Sequence, residues 1–217
     1  MRYFYDFLTY TDAYKPQPLS CHAELKYEYL QFQYALSDRS KKRVQRYLLN
    51  EPCFLHDFGA ISDVDSVIAF SFGDSSRVNR QLSEIVNQLY LLDPTKNLYI
   101  QQEIASHLPM LPIASIECDE YQTTYEVALK AAGSAHQGGK NNQYGRKVLV
   151  VAQAWHASRC IKTCQELGLD VAGLRVVNDF PAADPQPWVR NPINWVIKES
   201  HRDVATGYEI SKLYSLS

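Results

Sequence analysis

From residue 65 onward the chain alternates short β-branched and aliphatic runs with segments of helical period, and that alternation constrains the fold more than any other feature. Asp65 to Asp74 reads as a first core strand entering a turn at Gly73. Ser76 to Leu92 places Val78, Leu82, Ile85, Val86 and Leu89 on one side of a helix that Asp93-Pro94 ends. Asn97 to Gln101 is a second strand, Glu103 to His107 a helical turn, and Ile113 to Ile116 a third strand with Glu117 at its carboxyl end. Thr123 to Ala132 is the next helix, followed by a Gly/Asn/Gln loop from Gly133 to Gly145. Val148 to Ala152 is apolar at every position, as a strand buried on both faces must be. The period then changes: Cys160, Ile161, Cys164 and Leu167 recur at three- and four-residue steps, predicting a helix that ends at Gly168. Ala172 to Val177 is a fifth strand, and a last helix carries Trp195, Ile197, Glu199, His201 and Arg202 on to Leu213.

Parallel strands need crossovers, and these are right-handed, so the expected product is an α/β three-layer sandwich on a mainly parallel sheet of about five strands. Residues 1–60 read as an N-terminal helical flank or lid, with helices over about Cys21 to Leu36 and Ser40 to Leu49, and residues 61–217 as the α/β domain of one compact unit. Lys41, Lys42, Arg43 and Arg46 crowd one side of the second helix, which reads as a solvated face before it reads as a partner surface.

A formal charge of −2 from interspersed acids and bases gives no nucleic-acid footprint. No apolar run approaches a membrane span and the first residues lack a signal-peptide core, so the expected location is cytoplasmic. Five cysteines make no extracellular framework, and Cys160 and Cys164, one helical turn apart, read as small core residues rather than metal ligands. Gly138-Gly139-Lys140 lacks the remainder of a phosphate-loop signature.

In an open parallel sheet, ligands bind outside the carboxyl ends of the strands. The groups expected there are Gly73, Asp74 and Arg77 after the first strand, Gln101, Gln102 and Glu103 after the second, Glu117 with Thr123, Thr124 and Glu126 after the third, Gln153, Trp155, His156 and Arg159 after the fourth, and Asn178 and Asp179 after the fifth. His156 and Arg159, three apart at a strand-to-helix junction, would share a face and present a titratable imidazole beside a permanent cation, which suits an anionic ligand. Thr123 or Thr124 with Glu126 reads equally as a helix cap, Arg77 as a surface partner of Asp74, and Trp155 as cover for the sheet edge.

These residues resemble the domain of unknown function 218 family, which includes the YdcF, SanA and ElyC proteins. The matching stretches are the Asp-led strand Asp65 to Gly73 with Arg77 in the next helix, Glu117 followed by Gln122-Thr123-Thr124-Tyr125-Glu126, and Val150 to Arg159 with its His-x-x-Arg. The resemblance covers about residues 64–200. Gln101-Gln102 replaces the family's Ser-Gly-Gly, Val127 its asparagine, and only Gly73 remains of its first glycine-rich turn. It implies a Rossmann-like fold of the soluble YdcF type, a link to bacterial envelope biogenesis, and S-adenosylmethionine as a candidate ligand. Three functional expectations follow. The first is an enzyme on a nucleotide-like or phosphorylated small molecule, with Arg77 and Arg159 holding the anion, His156 as general acid or base, and Glu117 and Glu126 orienting the ligand. The second is a non-catalytic ligand-sensing module whose N-terminal helices meet a protein partner. The third is an S-adenosylmethionine-binding transferase.

Overall fold

A computed structural model describes residues 34, 36–109, 114–116, 122–136 and 147–216. The chain forms two compact units, Phe54–Asn178 and, from its two ends, Met1–Cys53 with Asp179–Ser217. Residues 179–217, which sequence reasoning placed with the α/β domain, cluster instead with the N-terminal segment.

The unit Phe54–Asn178 is an α/β fold on an all-parallel sheet. Its strands are β1 (Ser66–Ala69), β2 (Asn97–Gln101), β3 (Ala114–Ile116), β4 (Lys147–Gln153) and β5 (Asp170–Val177). Four of them run in the order β2-β1-β4-β5, and the three-residue β3 adds beside β2. The register sets Val67 opposite Leu98 and Leu149, and Ile68 opposite Tyr99 and Val150. All four residues of β1 are buried, and so is β4 after Lys147, as a strand with neighbours on both edges and helices nearby requires.

The helices of this unit are α2 (Ser76–Leu92), the four-residue α3 (Gln102–Ala105), α4 (Thr124–His136) and α5 (Ala157–Glu166). Alternate strand residues Ile68, Val148, Val150, Ala152 and Leu174 join Val127, Ala128 and Ala131 of α4 and Cys160 and Cys164 of α5 in one buried cluster. Helix α2, with Val78, Leu82, Val86 and Leu89 buried, packs on β1, β4 and β5 and has no residue in that cluster. Helix α4 runs on to His136, past Gly133, where the loop was expected to begin; the rest of that expected loop, 137–145, lies outside the described residues. Helix α5 ends as its sequence predicts. Gly168 takes φ +79°, its N–H reaches Gln165 O at 3.0 Å, and the Leu169 N–H reaches back to Cys164 O at 3.0 Å, with Leu169 and Cys164 both in the core.

The outer edge of β5 is covered by residues 57–59. Phe58 bridges Leu174, Asp57 Oδ1 accepts from the Val176 N–H at 2.8 Å, and the Arg175 guanidinium donates to Phe58 O and Gly59 O at 2.9 and 3.0 Å.

In the second unit, α1 (Asp38–Asn50) packs on α6 (Pro192–Ser200), and α7 (Gly207–Tyr214) follows. Ser37 caps α1, Tyr34 donates to Asn194 Oδ1 at 2.6 Å, and Ser40 and Tyr214 share a 2.6 Å hydroxyl contact. Two of the basic residues of α1 are paired within the unit, Arg43 with Asp203 at 2.7 Å and Lys41 with Asp38 at 3.9 Å. The single last helix expected to reach Leu213 is two helices. Thr206 and Glu209 form a reciprocal capping box that restarts the chain as α7. The earlier helix expected over Cys21 to Leu36 lies largely outside the described residues; Tyr34 and Leu36 are described and are not helical. Among the described residues, no helix is long and apolar enough to cross a membrane.

Candidate functional site

The strand order reverses between β1 and β4: the chain leaves β1 toward β2 and β3, then returns to the far side of β1 for β4 and β5. Such a switch point opens a crevice at the carboxyl ends of the two strands, because their following segments depart in opposite directions. Here those segments are the turn from Phe70 to Ser75 ahead of α2 and the turn from Ala154 to His156 ahead of α5. They meet through His156, whose ring lies 6.4 Å from Phe70 and 6.1 Å from Phe72.

His156 is 5% exposed and stands at the N-cap of α5. Arg159 Nη2 lies 2.7 Å from His156 Nε2, and Thr124 Oγ1, on the first residue of α4, lies 3.1 Å from the same nitrogen. A guanidinium only donates, so Nε2 is the acceptor and the imidazole is neutral with its proton on Nδ1. The predicted His-x-x-Arg pair is therefore brought together, and Thr124 joins it from an element 32 residues away in sequence. The chemistry assembled is one cation, one hydroxyl and one imidazole acceptor, half-sheltered by two phenylalanine rings.

Three buried carboxamides that sequence reasoning did not assign a role hold the surrounding turns. Gln153, fully buried at the end of β4, accepts through Oε1 from the Trp155 N–H at 2.7 Å and the His156 N–H at 3.2 Å. Gln101, at the end of β2, accepts from the Ser71 N–H at 2.9 Å. Asn79, on α2, accepts from the Phe72 N–H at 3.0 Å and donates to Gly73 O and Ser75 O at 3.1 and 3.2 Å. Local pattern carries little trace of these contacts: Gln101 lies 30 residues from the amide it meets, and the residue types of Asn79 and Gln153 do not show which nearby amides they hold. The legible signal was Gln101 and Gln153 each standing where a strand runs out.

The remaining expected residues divide. Gly73 does occupy the left-handed region, at φ +71°, and Asp74 and Arg77 are exposed at the entry to α2. Trp155 is 2% exposed and lies tilted on Phe54 at 5.7 Å, so its faces cover the core. Glu126 and Thr123 form a reciprocal cap. The Glu126 carboxylate accepts from the Thr123 N–H at 2.7 Å and its hydroxyl at 2.9 Å, while Thr123 Oγ1 accepts from the Glu126 N–H at 3.3 Å. Those bonds hold the Glu126 carboxyl below its ordinary range. Asp179 belongs to the other unit, where its carboxylate accepts from the Phe180 N–H at 3.0 Å. Glu117 lies outside the described residues. Cys160 and Cys164 are buried core residues, and burial pushes the Cys164 thiol up to about 12, far from a thiolate nucleophile. Among the described residues, no group of three or more His, Cys, Asp or Glu could hold a metal ion.

No family model, curated protein or solved structure matches the chain.

Proposed function

We propose that the chain is a small-molecule-binding protein that takes an anionic ligand at the β1/β4 switch point, with Arg159 as its principal contact. The observation that carries this reading is the convergence of Arg159, Thr124 and the buried His156 where a parallel sheet opens a crevice. We read the sheet as the centre of a Rossmann-like three-layer sandwich, with α4 and α5 on one face and α2 on the other. The resemblance to the domain of unknown function 218 family rests on the quoted stretches and supports the same placement, since Arg77, Thr124, His156 and Arg159 all follow carboxyl ends of strands.

Binding is favoured over catalysis because Nε2, the atom a general base would use, already accepts from Arg159. A catalytic role would require the ligand to draw Arg159 away first. S-adenosylmethionine fits poorly. The Rossmann use of this site needs close-approach glycines after β1 and an acid ending β2 to hold a ribose. The turn after β1 has its Ser71 and Phe72 amides bonded to Gln101 and Asn79, and β2 ends in Gln101 itself.

The test is a thermal-shift screen of the purified chain against nucleotides, S-adenosylmethionine, sugar nucleotides, phosphorylated metabolites and organic acids. A ligand at a hundred times its dissociation constant adds about 2.7 kcal/mol, a visible shift of the midpoint. The expected result is a hit that Arg159→Ala abolishes while leaving the circular dichroism unchanged. A hit insensitive to both Arg159→Ala and His156→Ala would place the ligand elsewhere and end the proposal.

A further inference from the structure

We infer that the contact between Arg159 and His156 is a proton-linked latch, so that an oxyanion entering the switch point binds together with a proton on His156. The inference rests on the binding site proposed above. Arg159 Nη2 lies 2.7 Å from His156 Nε2, and a guanidinium has no lone pair to offer, so this contact exists only while Nε2 is unprotonated. A proton on Nε2 would set two N–H donors and two positive charges against each other. The pair therefore has two exclusive arrangements, latched on a bare Nε2 or parted with an Nε2–H.

An anion biases that choice. A charged acceptor makes a stronger bond with a guanidinium than a neutral imidazole does, so carboxylate, sulfate and phosphoryl oxygens all compete for Nη2. Each also brings negative charge close to Nε2, and a nearby opposite charge favours the protonated ring. The ring is 5% exposed between Phe70 and Phe72, where such an interaction is little screened by water and salt. Thr124 suits both arrangements, because its hydroxyl, 3.1 Å from Nε2, donates to the bare nitrogen or accepts from its N–H. Among the described residues, the charged group at the ring is Arg159, while Thr124, Phe70 and Phe72 do not titrate near neutrality. On the elements that carry them, and at the helix entry after Phe72, Glu126 is engaged by Thr123, and Asp74 and Arg77 are exposed. Lys130, Lys162 and Glu166 lie more than one helical turn further along.

Isothermal titration of the full-length chain with sodium sulfate, which does not itself titrate between pH 6 and pH 8, tests this at constant ionic strength. In buffers of different ionisation heat at pH 7, each bound sulfate should take up about half a proton or more. By reciprocity its affinity should rise about fivefold or more from pH 8 to pH 6, across the ordinary range of an imidazole. The ¹⁵N resonance of His156 Nε2 in the wild-type protein should move to its protonated position as sulfate is added, a readout independent of any variant's folding. His156→Gln keeps a side-chain acceptor for Arg159 but cannot titrate, so it should bind sulfate with no proton uptake and no such pH dependence. Sulfate binding that Arg159→Ala abolishes, but with no proton taken up and Nε2 unmoved, would overturn the latch and leave the switch-point site standing. Proton uptake that persists in His156→Gln would overturn the latch as well. Failure of sulfate, inorganic phosphate and citrate alike to bind at either pH would overturn both.

Discussion

Gly59 and Gly168 share a left-handed backbone, at φ +70° and +79°, yet substitution should separate them sharply. A Cβ on Gly168 meets nothing within 4 Å, so Gly168→Ala should cost only the conformational penalty, about 1–2 kcal/mol. A Cβ on Gly59 would overlap the Ala172 carbonyl oxygen and stand 2.8 Å from Gly173 Cα, both backbone atoms of β5 that cannot swing aside. Gly59→Ala should therefore cost about 4 kcal/mol or more, among the largest effects a single substitution produces. Urea unfolding of the two variants decides it, and equal losses would mean that residues 57–59 do not lie against β5. Gln153 makes a second case at this scale. Gln153→Ala leaves the Trp155 amide without its buried acceptor, at about 1–3 kcal/mol, while the His156 N–H keeps the Gln153 main-chain O at 2.9 Å; Gln102→Ala on the surface should stay within about 0.5 kcal/mol. A Gln153→Ala loss no larger than that of Gln102→Ala would show that the turn ahead of α5 is held by something else. Sequence alone marks His156 and Arg159 by their three-residue spacing. It places Gln153 at the end of a strand but does not say what it bonds, because a glutamine there looks the same whether its amide meets water or two backbone N–H groups.

At the scale of elements, α4 and α7 begin with the same device, Thr123 with Glu126 and Thr206 with Glu209. Thr206→Ala should cost about 1 kcal/mol through loss of the cap, measured by urea unfolding followed by circular dichroism. In both boxes the glutamate is held below its ordinary pKa by bonds from the threonine backbone and hydroxyl. A lowered pKa means that the folded state binds fewer protons, so the contribution is complete above the unfolded glutamate range and is lost as pH falls through the folded value. The cost of Thr206→Ala should accordingly be present at pH 7 and shrink below about pH 4, where the protonated glutamate no longer completes the box. A cost unchanged between pH 7 and pH 3 would remove the carboxylate from the cap. The same box explains a helix end that sequence reading passed over. Apolar residues recur from Trp195 to Leu213 closely enough to suggest one helix, and only the Thr206-x-x-Glu209 spacing marks the restart. Where period and punctuation agree, as at Ser76–Leu92, Asn97–Gln101 and Gly168, the elements were legible almost to the residue.

At the scale of the whole molecule, alternation of strand and helix foretells a parallel α/β sheet, because no other layering buries such apolar strands. It does not foretell the order of the strands, and hence which turns meet at the switch point, since order is decided by contacts between segments tens of residues apart. Nor does it reveal which buried groups make the folded chain sensitive to pH. His201 is such a group. It is 4% exposed, its ring lies 5.0 Å from that of Tyr214, and its Nδ1–H donates to Ile197 O at 2.9 Å, with the Ser200 hydroxyl 3.0 Å from the same nitrogen. Nε2 is buried with no hydrogen-bond partner, so protonation there would place a donor where nothing accepts it. Burial lowers the His201 pKa, the Ile197 carbonyl opposes that, Arg43 of α1 lowers it further, and Asp203 in the same turn raises it. The net value is below 6.5, so the unfolded chain binds a proton that the folded chain resists. Stability from this residue is then complete above about pH 6.5 and is lost as pH falls through the folded value. The urea midpoint should hold level from pH 8 to 7 and decline toward pH 5. His201→Asn keeps a side-chain amide donor near Ile197 O but cannot take up the proton, so it should flatten that decline while costing some stability at pH 7. If the variant and the wild type lose stability in parallel between pH 7 and pH 5, the sensitivity belongs to another buried group and His201 is only a packing residue.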